Sequence, residues 1–206
     1  MKVTSKSIFW GILFCGSCLT AAGAGAQPAT MQELNDLQIY QQVLMDVSTT
    51  EERLSVVREM YTDAKSRLRE GKSGSDSLLS RAGFWAKRLG DKNLMFKCWE
   101  SMLDAPESSA GEFSAHRMLG HAYLASGDTF KAQDHMRAAL DIAKTDDELA
   151  KKYIRSLVMV VQELASLQEQ LHNDQSAVDT RAILLEPRLL GVVDDIDRKW
   201  VMLENA

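Results

Sequence analysis

The side chains best suited to metal chemistry in this sequence are its four histidines, His116, His121, His135 and His172. Zinc sites combine histidine with paired cysteines, or place two histidines four residues apart on one helical face, as in HExxH. Neither pattern occurs, and His116 and His121 are five residues apart, which puts them on different faces of a helix. We therefore predict no metal site and expect the histidines at the surface or at helix edges.

Two other groups are able to take part in chemistry. Residues 194–197 read Asp-Asp-Ile-Asp, but they lack the glycine turn and distal glutamate of a calcium loop. Cys98 lies beside Phe96 and Trp99 in a predicted helix, where we expect a packed, small hydrophobic side chain rather than a nucleophile. The chain has no glycine-rich phosphate loop and no G-x-S-x-G elbow. We predict a non-enzymatic protein without catalytic residues or a cofactor.

The N-terminus has the pattern of a secretory signal peptide. Lys2 and Lys6 form a basic start, residues 8–14 are an apolar run, and Ala24-Gly25-Ala26 is an A-x-A cleavage site. We expect residues 1–26 to be removed near Ala26 and the mature protein to be periplasmic or secreted.

Two alternatives for this segment stay open. Gly16-Ser17 precede Cys18, so lipoprotein processing at Cys18 is one, although Cys15 stands where the lipobox has leucine. A transmembrane anchor is the other, but the apolar run is shorter than the roughly 20 residues that cross a bilayer. We predict no membrane span after signal removal.

The charge and cysteine content limit the partners of the mature chain. Removing Lys2 and Lys6 leaves 22 basic and 29 acidic residues, a net charge of −7. An acidic chain of this kind has no general attraction for nucleic acid or anionic lipid. Cys98 is the only cysteine beyond residue 26, so no intramolecular disulfide forms and packing must stabilise the fold.

Helical periodicity runs through the whole mature chain, and only three prolines interrupt it. We predict an all-α protein in which Ser48 to Glu51 and Thr145 to Glu148 are capping boxes. Residues 71–77 (GKSGSDS) are a predicted flexible break between an N-terminal helical hairpin, 27–70, and a C-terminal region, 71–206. The predicted helices are 31–45, one following Glu51 to about 68, 78–89, 93–103, 113–126, 129–143, a long one from Glu148 to Leu171, and two beyond His172, before Pro187 and from Leu189 to Leu203.

Residues 113–144 resemble a tetratricopeptide repeat, a helix-turn-helix unit of about 34 residues. The residues that carry the resemblance are Leu119-Gly120, Tyr123, Gly127-Asp128, Ala132, Met136 and Ala139-Leu140. Gly120 and Ala132 are small where the paired helices would cross, and Gly127 would end the first helix. The sequence departs from the family pattern at His116, where the repeat has tryptophan, and at Lys144, where it has proline.

A second, degenerate copy precedes the first. Gly90-Asp91 lies 37 residues before Gly127-Asp128. Gly83 then corresponds to Gly120, Trp99 to Met136, and Met102-Leu103 to Ala139-Leu140, whereas Ala86 replaces the tyrosine. The helix from Glu148 starts a third unit or serves as a capping helix, since it has no Gly-Asp turn.

The resemblance implies a short right-handed solenoid of antiparallel hairpins with flanking helices, whose concave face is formed by the first helix of each unit. Carried onto this chain, that face includes the basic residues Lys87, Arg88, Arg117, His121, Lys152 and Arg155. Our hypothesis is that it binds an extended acidic or carboxylate-bearing peptide, although the asparagines of the family's carboxylate clamp are absent. The alternative is that these bases are solvated or paired with neighbouring acids.

The expected function is therefore non-catalytic protein–protein interaction in the cell envelope, as a scaffold, adaptor or assembly factor. A self-associating structural subunit without a groove ligand is the alternative.

Overall fold

The computed structural model of the protein describes residues 31–186 and Leu189, with side chains from residue 36 onward. These residues form α-helices and loops without a strand, which confirms the all-α prediction. The helices are α1 (Met31–Asp46), α2 (Thr50–Glu70), α3 (Ser75–Leu89), α4 (Lys92–Asp104), α5 (Ser109–Ser126), α6 (Thr129–Thr145), α7 (Asp147–Lys152), α8 (Ile154–Gln170) and α9 (Asp174–Ala182), followed by a 3₁₀ turn (Ile183–Leu185). The predicted signal peptide, the acidic residues 194–197 and the helix predicted up to Leu203 lie outside the described residues.

Helices that are neighbours in sequence pack against each other. The pairs α3–α4, α5–α6 and α8–α9 are helical hairpins, while α2 packs on α3, α4 on α5, and α6 on α8. Two hydrophobic clusters fill the spaces between them. One extends from α1 to α5 around Met60 and Trp99, and the other from α5 to the 3₁₀ turn around Phe113 and Leu164. Tyr123 of α5 packs against both clusters, so α5 joins the two halves of the core.

The turns of the hairpins α3–α4 and α5–α6 have the same geometry. Gly90 and Gly127 adopt left-handed conformations, with φ of 85° and 84°. The amides of Asp91 and Asp128 donate to the carbonyls of Ala86 and Tyr123, at 2.9 and 3.0 Å. The two aspartate side chains then accept hydrogen bonds from backbone amides at the start of α4 and α6. Each Gly-Asp pair thus ends one helix and caps the next.

A third turn of this kind joins α8 to α9 without glycine. His172 has φ of 57° and its amide donates to the carbonyl of Glu169, while the amide of Asn173 donates to Gln168 at 2.8 Å. These are the backbone hydrogen bonds of the two Gly-Asp turns, although the Asn173 side chain does not cap α9. The break predicted at His172 is therefore confirmed, and it is a tight hairpin turn with histidine in place of glycine.

The predicted long helix from Glu148 to Leu171 was wrong. The chain leaves helical geometry at Tyr153, with φ of −108° and ψ of 26°, which separates α7 from α8. The Tyr153 ring packs against Phe113, with ring centroids 5.9 Å apart. A contact with a residue 40 positions earlier has no signature in the local helical pattern, so the periodicity alone did not reveal the break.

The predicted capping box before α2 was displaced by one residue, and the one predicted before α7 is a single side-chain cap. The box before α2 pairs Thr49 with Glu52, since Thr49 Oγ1 accepts from the Glu52 amide and the Glu52 carboxylate accepts from the Thr49 amide. Before α7, the cap is Asp146, which accepts from the amide of Leu149 at 2.9 Å. Several adjacent residues at each position have side chains able to cap a helix, so residue types alone did not select the capping residue.

The linker between α2 and α3 is tied to the loop that follows α4. The Glu107 carboxylate accepts hydrogen bonds from the amides of Gly74 and Ser75, at 3.0 and 2.8 Å, and from the Ser75 hydroxyl. In return, Asp76 Oδ2 accepts from the Glu107 amide at 3.1 Å. Residues 74–76, within the stretch predicted as a flexible break, are therefore hydrogen-bonded to Glu107, and these bonds join the start of α3 to the start of α5.

Candidate functional site

The hairpins α3–α4 and α5–α6 use glycine for the same purpose, a close approach of their two helices. A Cβ on Gly83 would lie 2.2 Å from Trp99 Nε1, and one on Gly120 would lie 2.8 Å from Met136 Cγ. Real Cβ atoms do not approach neighbours this closely, so each position excludes a larger residue unless its partner moves. The side chains that the two glycines face, Trp99 and Met136, occupy equivalent positions in the repeat alignment. Leu119, Ala132 and Ala139 are buried beside this crossing.

The sequence-predicted binding residues lie on solvent-accessible faces of α3, α5 and α8 or at the end of α7. On α3 this face is sharply defined, because Leu79, Gly83 and Ala86 on the other sides of the helix are buried. We call the accessible set the inner face, and it comprises Ser77, Ser80, Phe84, Lys87, Arg88, Ser114, Arg117, His121, Leu124, Ala125, Lys152, Arg155, Met159, Gln162 and Glu163.

Four cations of the inner face are exposed, namely Lys87, Arg88, Lys152 and Arg155. Within the described part of the chain, none of them lies within 4.0 Å of a carboxylate. The guanidinium of Arg88 lies over the Trp85 ring, 5.3 Å from its centroid, and the ammonium of Lys152 lies 5.6 Å from the Tyr153 ring. These contacts orient the side chains while leaving their hydrogen-bond donors available.

The other two predicted cations, Arg117 and His121, face an acid of the same protein. His121 Nδ1 lies 2.7 Å from Glu163 Oε2, a contact between α5 and α8. Arg117, one turn earlier on α5, is half-buried. Burial lowers the pKa of its guanidinium, and the nearby Glu163 opposes that effect. These two residues therefore have an acidic neighbour within the protein, as in the alternative that the bases pair with neighbouring acids, because α8 brings Glu163 against α5.

His116 and His135 form a pair that the sequence analysis missed. Their Nδ1 atoms are 3.0 Å apart, so one nitrogen donates a proton and the other accepts it. The His135 ring also stacks on Tyr123, at 5.3 Å between centroids. Burial lowers the pKa of both histidines, and the positive charge of His116 further lowers that of His135. His116 and His121 are neighbours along α5, whereas the pair found in the structure spans the α5–α6 hairpin.

The remaining candidates for chemistry are metal-ligating groups and the thiol of Cys98. In the described residues, no group of three or more histidine, cysteine or acidic side chains is arranged to hold a metal ion. Cys98 is buried, and burial raises the pKa of its thiol to about 12, so the neutral thiol is the form present at physiological pH.

A concave surface lies between α1 and α2 and was not anticipated from the sequence. It encloses about 260 Å³, with Ile39, Tyr40 and Val43 on one wall and Val56 on the other. Acidic residues surround it, but Asp36 and Asp63 both bind the guanidinium of Arg67. Glu59 also lines it, so three carboxylates face one guanidinium and the surface keeps a net negative charge.

No protein-family model matches the chain, and a search of curated proteins finds no relative. Of the helices described, none has the length and apolar character needed to cross a membrane.

Proposed function

We propose that this chain is a non-catalytic protein–protein interaction protein built from tetratricopeptide-like repeats. Support comes above all from the recurrence of one detailed unit. In α3–α4 and α5–α6, a glycine of the first helix contacts a large side chain of the second helix, and a left-handed Gly followed by a capping Asp joins the two helices. The two hairpins therefore share both a crossing contact and a connecting turn.

The hairpin α8–α9 serves as a third unit in this proposal. Its turn repeats the hydrogen-bond pattern of the other two, and α8 packs on α6 as α5 packs on α4. The first helices of successive units would then be α3, α5 and α8, forming the concave face of a short right-handed solenoid, with α1–α2 as a flanking hairpin. Because each unit buries its apolar faces against its neighbours, the terminal elements act as caps.

The inner face is the proposed binding surface, and its ligand is an acidic segment of another protein. The protein is acidic overall, yet Lys87, Arg88, Lys152 and Arg155 are exposed without a carboxylate partner among the described residues. Guanidinium groups of this kind form paired hydrogen bonds with carboxylates. The signal-like N-terminus would place this scaffold, adaptor or assembly factor in the periplasm or outside the cell.

Quantitative co-purification tests this function. Tagged mature protein is crosslinked in its native envelope and compared with an Arg88→Glu, Arg155→Glu variant. The matched control is Lys97→Glu, Arg137→Glu, which makes the same charge change at exposed positions of α4 and α6, away from the inner face. We expect a partner that is captured by the wild type and the control but lost from the inner-face variant. Equal capture by all three would contradict the assignment of the inner face.

Self-association as a structural subunit is the second candidate, and exposed apolar side chains away from the inner face favour it. Phe130 at the start of α6 is 69% exposed, and Ile39 and Met45 on α1 are more than half exposed. Sedimentation over a wide concentration range distinguishes the two functions. A mass that rises with concentration and falls in a Phe130→Ser variant supports self-association, while a constant monomer mass rejects it.

A further inference from the structure

Two large apolar side chains stand on the inner face, and no described residue covers them. Phe84 on α3 and Met159 on α8 are each 47% exposed. Phe84 follows Gly83 as His121 follows Gly120, so the crossing contacts place Phe84 and His121 at equivalent positions of neighbouring units. Glu163, which contacts His121, lies one helical turn after Met159 on the same helix. The two apolar residues therefore flank the contact between α5 and α8.

Charge divides the inner face into three zones. Arg88 lies one turn after Phe84, and Arg155 lies one turn before Met159, so each apolar residue has an exposed cation beside it. Between them, the Glu163 carboxylate contacts His121 and lies near Arg117, so this part of the face already holds an acid. A carboxylate of a partner would gain attraction at either end but would meet Glu163 at the centre.

Building on the proposed function, we propose that the inner face selects an acidic segment with two apolar anchors, one covering Phe84 and one covering Met159. Each anchor is accompanied by a carboxylate that binds Arg88 or Arg155, and the residues between them are uncharged where they pass Glu163. Burial of the apolar pairs contributes affinity, while the carboxylates fix orientation and exclude basic segments.

The helix spacing sets the distance between the anchors. Packed helices lie about 8–10 Å apart, so the path from α3 across α5 to α8 is on the order of 20 Å. An extended peptide covers about 3.3 Å per residue. The two apolar anchors should therefore be separated by about six residues.

A displayed library of random peptides about twelve residues long, twice that separation, provides the probe. The mature protein is the target, and peptides that also bind the Arg88→Glu, Arg155→Glu variant are removed. We expect the enriched peptides to be acidic and to carry two large apolar residues about six positions apart. Phe84→Ser and Met159→Ser should each weaken the binding of an enriched peptide about tenfold. Val178→Ser, an exposed control on α9, should leave the affinity unchanged, and circular dichroism verifies that all variants fold.

The outcomes separate this inference from the function on which it rests. If enriched peptides lose binding to the arginine variant but bind the Phe84→Ser and Met159→Ser proteins as tightly as the wild type, the apolar anchors are refuted and the acidic-segment function stands. If no peptide prefers the wild type over the arginine variant, both are refuted.

Discussion

Replacing Gly83 by alanine tests the close helix crossing that supports the repeat assignment. In an exposed helix interior, alanine is more stable than glycine by about 1 kcal/mol. Here the added Cβ would lie 2.2 Å from Nε1 of Trp99 and 2.7 Å from Cδ1 and Cε2, and the indole is fully buried. A rigid ring in a packed core must move as a unit, so we take the upper part of the overpacking range, about 3 kcal/mol. The net expectation is a loss of about 2 kcal/mol in the free energy of unfolding.

Gly120→Ala provides the comparison within the same fold. Its nearest contact is Met136 Cγ at 2.8 Å, part of a flexible side chain that is able to change rotamer. An overpacking cost of about 1 kcal/mol then offsets the gain in helix propensity, and the net change should be close to zero. The two glycines occupy equivalent positions, so the difference between them measures the stiffness of the contacting side chain.

Urea unfolding followed by circular dichroism in the far ultraviolet measures both changes, provided that the slope with denaturant stays constant. A further variant isolates the cause. In a Trp99→Leu background, Gly83→Ala should no longer destabilise, because the indole that it meets is absent. Stabilisation by Gly83→Ala alone, or an undiminished loss in the Trp99→Leu background, would refute the close crossing.

The remaining predictions concern pH and the third turn. Burial raises the pKa of Asp76 from 3.8 to about 6. The folded state therefore holds this proton more tightly, and stability falls as pH rises from about 4 to 6. Asp76→Asn should remove this dependence and raise the unfolding free energy at pH 8 by up to about 3 kcal/mol, as measured by urea titrations at each pH. The lowered pKa values of His116 and His135 act in the opposite direction, because the unfolded chain takes up protons first. Their contribution is complete above about pH 6.5 and is lost below it, and a His116→Gln, His135→Gln variant should show a smaller fall in urea midpoint between pH 7 and pH 5. Finally, His172→Gly should stabilise the protein by about 1 kcal/mol by relieving a left-handed non-glycine residue, whereas Gly127→Ala should destabilise it by a similar amount. Thermal melting distinguishes these two signs, and equal effects of both substitutions would contradict the shared turn geometry.

Much of the helical framework was predictable because its signals are local. The Gly90-Asp91 and Gly127-Asp128 pairs each end one helix and begin another through hydrogen bonds between residues close in sequence. The repeat alignment matched Gly83 with Gly120 and Trp99 with Met136, and in the structure each glycine lies against the aligned large side chain, a contact that the alignment itself did not predict. Such features depend on backbone conformation and side-chain size at nearby positions, both of which can be read from residue types.

Contacts between segments distant in the chain could not be predicted from the sequence. The break at Tyr153 accompanies a ring contact with Phe113, and His116 finds its partner across a hairpin rather than along its own helix. Glu163 reaches His121 only because α8 packs beside the earlier hairpin. Since many acids of the chain were available to pair with each base, residue types alone did not select the pair.

Residue types and spacing alone predicted helices throughout the described residues, the positions of the glycine turns and the amphipathic faces that must be buried. The tertiary structure decided which charges remain free. Helix formation depends on interactions within one or two turns, whereas the charge of a surface depends on which helices are neighbours in space. Thus Arg88 and Arg155 stay exposed without a described carboxylate partner, while Glu163 lies near Arg117 and contacts His121.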